Sequence, residues 1–142
     1  MRKTLAVAVF ACFMAFAGTA LAASAHFIGT PTATVSGNTL TVTASVAGLG
    51  NATGANFSLT GAVTVNSRCY TKSGNKPQAA NKQETLNVNQ SATFPVRNGR
   101  TNVTFTVSPL SMLTCPGGQR VVIESVSYSG LTLSGEGVSY TF

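Results

Sequence analysis

Alternation of apolar and polar side chains runs through most of the chain after Thr32, and this pattern limits the possible folds more than any other feature. Between Leu40 and Val46 every second residue is apolar, and threonine or serine fills the positions between them. A period of two is typical of a strand that buries one face, whereas a helix needs apolar residues at i, i+3 and i+4. No ten-residue window after residue 25 keeps the helical spacing. The sequence therefore predicts an all-β domain.

Glycine and asparagine mark the ends of the predicted strands. Ser36-Gly37-Asn38 predicts the turn of a first hairpin, and Asn98-Gly99 suits a type I′ turn because both central residues must accept positive φ. Gly61 predicts a bulge or a break between two strands, and Ser129-Gly130 predicts a further turn. About seven to nine short strands in about 115 residues favour an immunoglobulin-like two-sheet sandwich, with a small β-barrel as the alternative.

The first 25 residues have the three-part layout of a secretory signal peptide. Met1 to Thr4 is basic, Leu5 to Ala17 is an unbroken apolar run, and the residues that follow up to Ala25 are small except for Leu21. The run is shorter than the ~20 residues of a transmembrane helix, so no membrane span is expected in the mature chain. We therefore expect a signal peptide at 1–25, a single β-sandwich domain at 26–142, and a secreted or, depending on the type of envelope, periplasmic location.

Cleavage after Ala22 and cleavage after Ala25 both place small residues at positions −3 and −1, and the second is slightly favoured. Cys12 lies within the leader, which leaves Cys69 and Cys115 in the mature chain. Two cysteines in an exported protein predict one disulfide. Such a bond stabilises the fold by about 4 kcal/mol in the chain-entropy model.

The acidic residues are too few for most kinds of enzyme. The chain contains no Asp, a single His, and only Glu84, Glu124 and Glu136 as acids. Paired carboxylates, catalytic triads and carboxylate-rich calcium loops all need residues that are scarce here. We therefore predict a protein that is not an enzyme and that holds no cofactor.

The histidine stands in "ASAHF", at residues 23–27, where the apolar leader ends. If His26 were the first residue of the mature chain, its imidazole and free amine together would bind Cu(II). One histidine cannot complete a two-histidine copper site, so no redox catalysis is expected. The alternative is that His26 is simply the first residue of a strand, and both interpretations stay open.

Residues 70–84 contain little hydrophobic alternation and are predicted to form the longest loop. Loops of this length in a compact domain are usually functional or disordered. A Cys69–Cys115 bond would place this loop beside the one at residues 115–120. The result would be a basic rim with five members, which are Arg68, Lys72, Lys76, Lys82 and Arg120.

Clustered cations attract polyanions, so the predicted rim favours a binding function. We expect a secreted non-enzymatic binding or structural protein that docks anionic envelope polymers or polysaccharide. A nucleic-acid partner is not expected, because the charge is dispersed and few aromatic residues lie among the cations. The alternatives are a simple solvated surface, an N-terminal-histidine copper-binding protein, and a secreted inhibitor or effector that acts on a protein partner. The oligomeric state does not follow from the sequence.

Five short motifs together resemble a loose family of small secreted bacterial β proteins of unknown function. They are "AHF" at 25–27, "AGLGN" at 47–51, "PQAANK" at 77–82, "FPVRNG" at 94–99 and "CPGGQ" at 115–119. The resemblance covers nearly the whole chain after the leader. It implies an exported β-sandwich-like domain with one disulfide, and it implies nothing about ligand or reaction.

Overall fold

The computed structural model describes residues 24–142. Of the predicted signal peptide only Ser24 and Ala25 fall within this range, and Cys12 and the rest of the leader lie outside it. The described chain forms two antiparallel β-sheets, which confirms the prediction of an all-β two-sheet sandwich. No helix that could cross a bilayer occurs in residues 24–142. The eight strands are β1 His26–Phe27, β2 Thr32–Ser36, β3 Thr39–Ala47, β4 Gly54–Thr71, β5 Pro77–Pro95, β6 Thr101–Val107, β7 Gln119–Gly135 and β8 Val138–Thr141.

The smaller sheet is built around β3. Strand β6 pairs with one edge of β3, and β1 and β2 share the other edge, one beyond the other. Gly37 and Asn38 form the two-residue connection between β2 and β3, with Gly37 at a φ of 59°. The first predicted hairpin is therefore confirmed.

The larger sheet has the strand order β5-β4-β7-β8. Strands β4, β5 and β7 contain 18, 19 and 17 residues, while the longest strand of the smaller sheet has 9. The smaller sheet therefore covers only part of the larger one. Residues of the smaller sheet pack in one hydrophobic core with residues of β4 between Ala55 and Val65.

The core is formed where the two sheets face each other. Phe94 is partly buried and packs against the core, with its ring centroid 6.3 Å from that of Phe57 and 5.4 Å from that of Phe105, both edge to face. Alternate residues of β3, β4, β6 and β7 supply most of the core, as period-two patterning requires, and Leu49, Val88 and Val96 add to it. The apolar residues at alternate positions between Leu40 and Val46 are buried, as their pattern predicts. The other buried residues of the alternating strands are Phe57, Leu59, Val63, Val65, Val103, Phe105, Val107, Leu131 and Leu133.

The turn predicted at Ser129-Gly130 is wrong, because β7 continues through these residues. The pairing of β4 with β7 shifts register between Thr60 and Ala62, which makes Gly130 part of a β-bulge opposite Gly61. Gly130 has a φ of 58°, and a Cβ on Gly61 would lie 3.0 Å from the Ser129 carbonyl oxygen. The bulge predicted at Gly61 is confirmed, and the two glycines belong to the same irregularity.

The long loop predicted at residues 70–84 is also wrong. Strand β4 extends to Thr71 and β5 begins at Pro77, so only residues 72–76 form the turn of a long hairpin. Strand β5 is an edge strand whose side chains in this part are mostly exposed, so its sequence need not alternate. Backbone pairing with β4, rather than an apolar face, holds this part of the strand in place.

Residues 108–118, which we call the strap, cover the part of the larger sheet that the smaller sheet leaves open. The strap has no regular secondary structure as far as Pro116. Ser111 Oγ lies 2.5 Å from Ser67 Oγ, and the Met112 amide donates to Glu84 Oε1 at 2.7 Å. Cys115 forms the disulfide with Cys69, which confirms the predicted bond.

Candidate functional site

The two faces of the larger sheet separate the five basic residues of the predicted rim. Ser67 and Cys69 are almost completely buried and face the strap, so Arg68 between them points to the outer face. Lys82 pairs with Ser67 across β4 and β5 and shares its inner face. Arg68 and Lys82 therefore lie on opposite sides of the sheet.

Both of these cations already have acidic partners. On the inner face, Lys82 Nζ lies 3.1 Å from Glu84 Oε2. On the outer face, Arg68 Nε lies 3.5 Å from Glu124 Oε1, and the Tyr70 hydroxyl donates to the same oxygen at 2.8 Å. That hydrogen bond is the main cause of the raised pKa of Tyr70. Neither Arg68 nor Lys82 is available as an unpaired positive charge.

Lys72, Lys76 and Arg120 come together at the end of the β4–β5 hairpin, and we call this group the cationic tip. Lys72 and Lys76 belong to the five-residue turn. Arg120 lies opposite Tyr70 at the start of β7, and its guanidinium donates to the side-chain oxygen of Asn75 in the turn. The structure thus brings three of the five predicted binding residues into one place.

Hydrogen bonds from backbone amides fix the conformation of the tip. The Thr71 amide donates to the Lys76 carbonyl at 2.9 Å, and the Lys76 amide donates to Thr71 Oγ1 at 3.0 Å. Gly74 and Asn75 adopt positive φ angles of 96° and 52°. The Lys72 amide donates to the Gly118 carbonyl at 3.0 Å, so the turn lies beside the 115–120 loop as predicted.

His26 lies away from the tip, in the short strand β1. It is exposed, it pairs with Ala47, and its Nδ1 lies 3.1 Å from the Ser24 carbonyl oxygen. In the part of the chain from Ser24 onward, no three His, Cys, Asp or Glu side chains gather in a way that could hold a metal ion. Copper binding at His26 depends on a free amine at that residue and stays a prediction.

A second pair of cations, Arg97 and Arg100, was not among the predicted site residues. The two arginines flank the β5–β6 turn, in which Asn98 and Gly99 have φ angles of 51° and 71° as a type I′ turn requires. The pattern Arg-Asn-Gly-Arg was the available signal, because the ends of such a two-residue turn place their side chains on the same face.

Arg97 and Arg100 open onto a cavity of about 570 Å³, which we call the arginine cleft. It lies where the β5–β6 turn meets the edge of the smaller sheet. The residues that line it together with the two arginines are Ile28, Ser45, Pro95, Thr101 and Asn102. Three separate parts of the chain contribute to it, so sequence spacing alone does not indicate the cleft.

Comparison with known protein families, with characterised proteins and with solved structures yields no match.

Proposed function

We propose that this protein is a secreted, non-enzymatic binding protein whose cationic tip docks anionic polymers of the cell envelope or acidic polysaccharides. The observation that supports this proposal most is the presence of Lys72, Lys76 and Arg120 at one exposed end of the larger sheet. Clustered cations without acidic partners attract polyanions and accelerate their association.

The contacts of the three glutamates support this interpretation of the tip. Glu84 lies beside Lys82, Glu124 lies beside Arg68, and Glu136 accepts a hydrogen bond from the Asn56 amide at 2.7 Å. Residues 24–142 contain seven Lys and Arg and three Glu, which leaves a net charge of +4. Five cations therefore have no acidic partner among these residues, and they lie at the tip and at the arginine cleft.

The same contacts support a non-enzymatic role. Glu84 helps to hold the strap on the sheet, and Glu124 is engaged by both Arg68 and Tyr70. The two carboxylates lie on opposite faces of the larger sheet, because Glu84 pairs with the inward-facing Val65 whereas Glu124 contacts the outward-facing Arg68. General acid-base catalysis by two carboxylates needs both to reach one substrate, and groups on opposite faces of a sheet do not.

Binding of the secreted protein to purified teichoic acid, a polyanion of polyol units joined by phosphodiesters, tests the proposal. The triple variant Lys72→Gln/Lys76→Gln/Arg120→Gln is expected to bind roughly tenfold more weakly at low salt, because three exposed charges contribute a few tenths of a kcal/mol to about 1 kcal/mol each. Its affinity is also expected to depend less on salt concentration than that of the unmodified protein.

The double variant Arg68→Gln/Lys82→Gln is the matched control, because it removes two cations that already have acidic partners. We expect it to retain most of the affinity. Undiminished binding by the triple variant would exclude the tip as the site. An equal loss in the control would mean that net charge, rather than the tip, determines binding.

A further inference from the structure

Arg97 and Arg100 face each other across the β5–β6 turn with no acid between them. The amide of each donates to the carbonyl of the other, at 2.9 and 3.0 Å, so the two residues are direct neighbours across the hairpin. Like charges in this arrangement destabilise a hairpin. The three glutamates of the described chain are engaged elsewhere, as shown above. An anion bound between the two guanidinium groups would relieve this repulsion.

The turn that holds the arginines is fixed to the rest of the domain. The Leu49 amide donates to the Gly99 carbonyl at 3.0 Å, and the Leu49 side chain is buried in the core. Thr101, itself buried, donates from its hydroxyl to the Pro95 carbonyl at 2.9 Å. The backbone under the two arginines is therefore positioned before any ligand arrives, which reduces the entropic cost of binding.

The walls of the arginine cleft combine an apolar side chain with uncharged polar groups. Ile28 is 44% exposed and leaves an apolar surface at the rim. Ser45 donates to the side-chain oxygen of Asn102 at 2.8 Å, so the amide NH₂ group of Asn102 remains as a donor. A volume of about 570 Å³ falls within the usual range for a small-molecule site.

A second cavity of about 240 Å³ continues the cleft along the outer face of the smaller sheet, and we call it the hydroxyl groove. The two cavities share Ile28, Ser45 and Asn102. None of the residues that line the groove is charged, and four of them are threonines, namely Thr30, Thr32, Thr43 and Thr104. Hydroxyl groups both donate and accept hydrogen bonds, as sugar hydroxyls also do.

We propose that the arginine cleft and the hydroxyl groove together bind an acidic saccharide, with the carboxylate of a uronate residue between Arg97 and Arg100 and neighbouring sugars along the groove. A guanidinium group matches a carboxylate through two parallel hydrogen bonds. Ile28 offers an apolar surface to the C–H face of a sugar ring. This site goes beyond the proposed function, because the 19 residues of β5 place it ~60 Å from the cationic tip.

Calorimetric titration of the secreted protein with a galacturonate hexamer tests the inference, and the fully methyl-esterified hexamer is the matched ligand without charge. We expect the acid to bind and the ester to bind roughly tenfold more weakly, since the ester loses the charge-assisted hydrogen bonds. Equal affinities for the two hexamers, or no binding of either, would overturn the proposal.

Substitutions test the contribution of the two arginines separately from that of the groove. Arg97→Gln/Arg100→Gln is expected to reduce affinity for the acidic hexamer roughly tenfold, and Arg97→Lys/Arg100→Lys is expected to give an intermediate affinity because charge is kept but the two-pronged geometry is lost. Thermal unfolding checks that these exposed substitutions leave the fold intact. Undiminished binding by the glutamine variant would exclude the cleft.

Thr32→Val/Thr43→Val tests the groove, because it removes two hydroxyls and keeps the shape of the strands. It is expected to weaken binding of the hexamer and to leave binding of monomeric galacturonate unchanged. An unchanged hexamer affinity would overturn the saccharide part of the inference. In the background of the tip variant Lys72→Gln/Lys76→Gln/Arg120→Gln, the added change Arg97→Gln/Arg100→Gln is still expected to weaken hexamer binding roughly tenfold, so failure at the tip and failure at the cleft are distinguishable.

Discussion

At the scale of single residues, Gly135 shows how little space separates β4 from β7. It pairs with Phe57, and a Cβ at this position would lie 2.6 Å from Phe57 Cδ1 as well as against the Asn56 carbonyl oxygen. Phe57 is itself buried, so its ring cannot move aside into solvent. Glycine is needed here because of close approach between neighbouring strands.

We therefore expect Gly135→Ala to lower the free energy of unfolding by about 1 to 3 kcal/mol, the usual cost of overpacking a core. Urea denaturation measures the change. Gly117→Ala is the matched control, because a Cβ there would meet no atom within 4 Å. A Gly135→Ala variant as stable as the control would show that β4 and β7 are not packed this closely.

Glu84 links the strap to the sheet and makes stability depend on pH. The Met112 amide that donates to its carboxylate is the main cause of a pKa below the ordinary value of 4.5, and Lys82 lowers it further. The folded chain thus holds the Glu84 proton less tightly than the unfolded chain. Its contribution to stability is complete above the ordinary pKa and disappears as the pH falls through the lowered one.

Glu84→Gln is therefore expected to be less stable than the unmodified protein at neutral pH, with the two stability profiles converging as the pH falls below about 4.5. Urea denaturation at a series of pH values gives both profiles. Thr85→Val, which changes the neighbouring outward-facing residue of β5, should shift the profile without altering its shape. Parallel profiles for Glu84→Gln would contradict the role of this carboxylate.

At the scale of elements, the strap takes the place of a strand over the inner face of the larger sheet. It contains no regular pairing up to Pro116, so side-chain contacts and the disulfide keep it in position. Leu110 and Met112 in the strap are 78% and 69% exposed. A protease that cuts after large apolar residues would recognise both of them if the strap opened.

Cys69→Ser/Cys115→Ser is expected to lower the free energy of unfolding by about 4 kcal/mol, because the bond closes a loop with a sequence separation of 46 residues. We also expect chymotrypsin to cleave the variant within the strap faster than it cleaves the unmodified protein. Tryptic cleavage after Lys72, in the turn of the tip, serves as the internal reference. Equal chymotryptic rates would mean that the disulfide does not restrain the strap.

The elements also show which local signals are ambiguous. Asn98-Gly99 predicted its turn correctly, because consecutive residues that accept positive φ are rare outside type I′ turns. Ser129-Gly130 was mistaken for a turn, since a glycine at positive φ occurs in bulges as well. Only the pairing of β7 with β4 decides between the two.

At the scale of the whole molecule, the positive charge is concentrated at two distant places. The tip and the arginine cleft hold all five cations that lack an acidic partner among residues 24–142. The outer faces between them consist largely of hydroxyl and amide side chains that bond across strands, as Ser58 does with Ser91 and Thr32 with Thr43. Such pairs stabilise the sheets.

The candidate sites followed from the sequence only in part. Lys72 and Lys76 lie in one short turn, and the disulfide brings Arg120 beside them, so their proximity was predictable. Arg68 and Lys82 were assigned to the same rim, but alternation within paired strands places them on opposite faces. The arginine cleft was missed because its walls come from residues far apart in the chain.

The sequence by itself determined the fold class, the inward faces of the core strands and the single disulfide. Each of these depends on local alternation or on residue type. When apolar and polar side chains alternate along a strand, only the apolar face can be buried, so the sequence alone identifies that face. The tertiary structure alone decided how far β4, β5 and β7 extend, where the strap lies and which cations remain unpaired. These features depend on strand register, and register is set by contacts between residues distant in the chain.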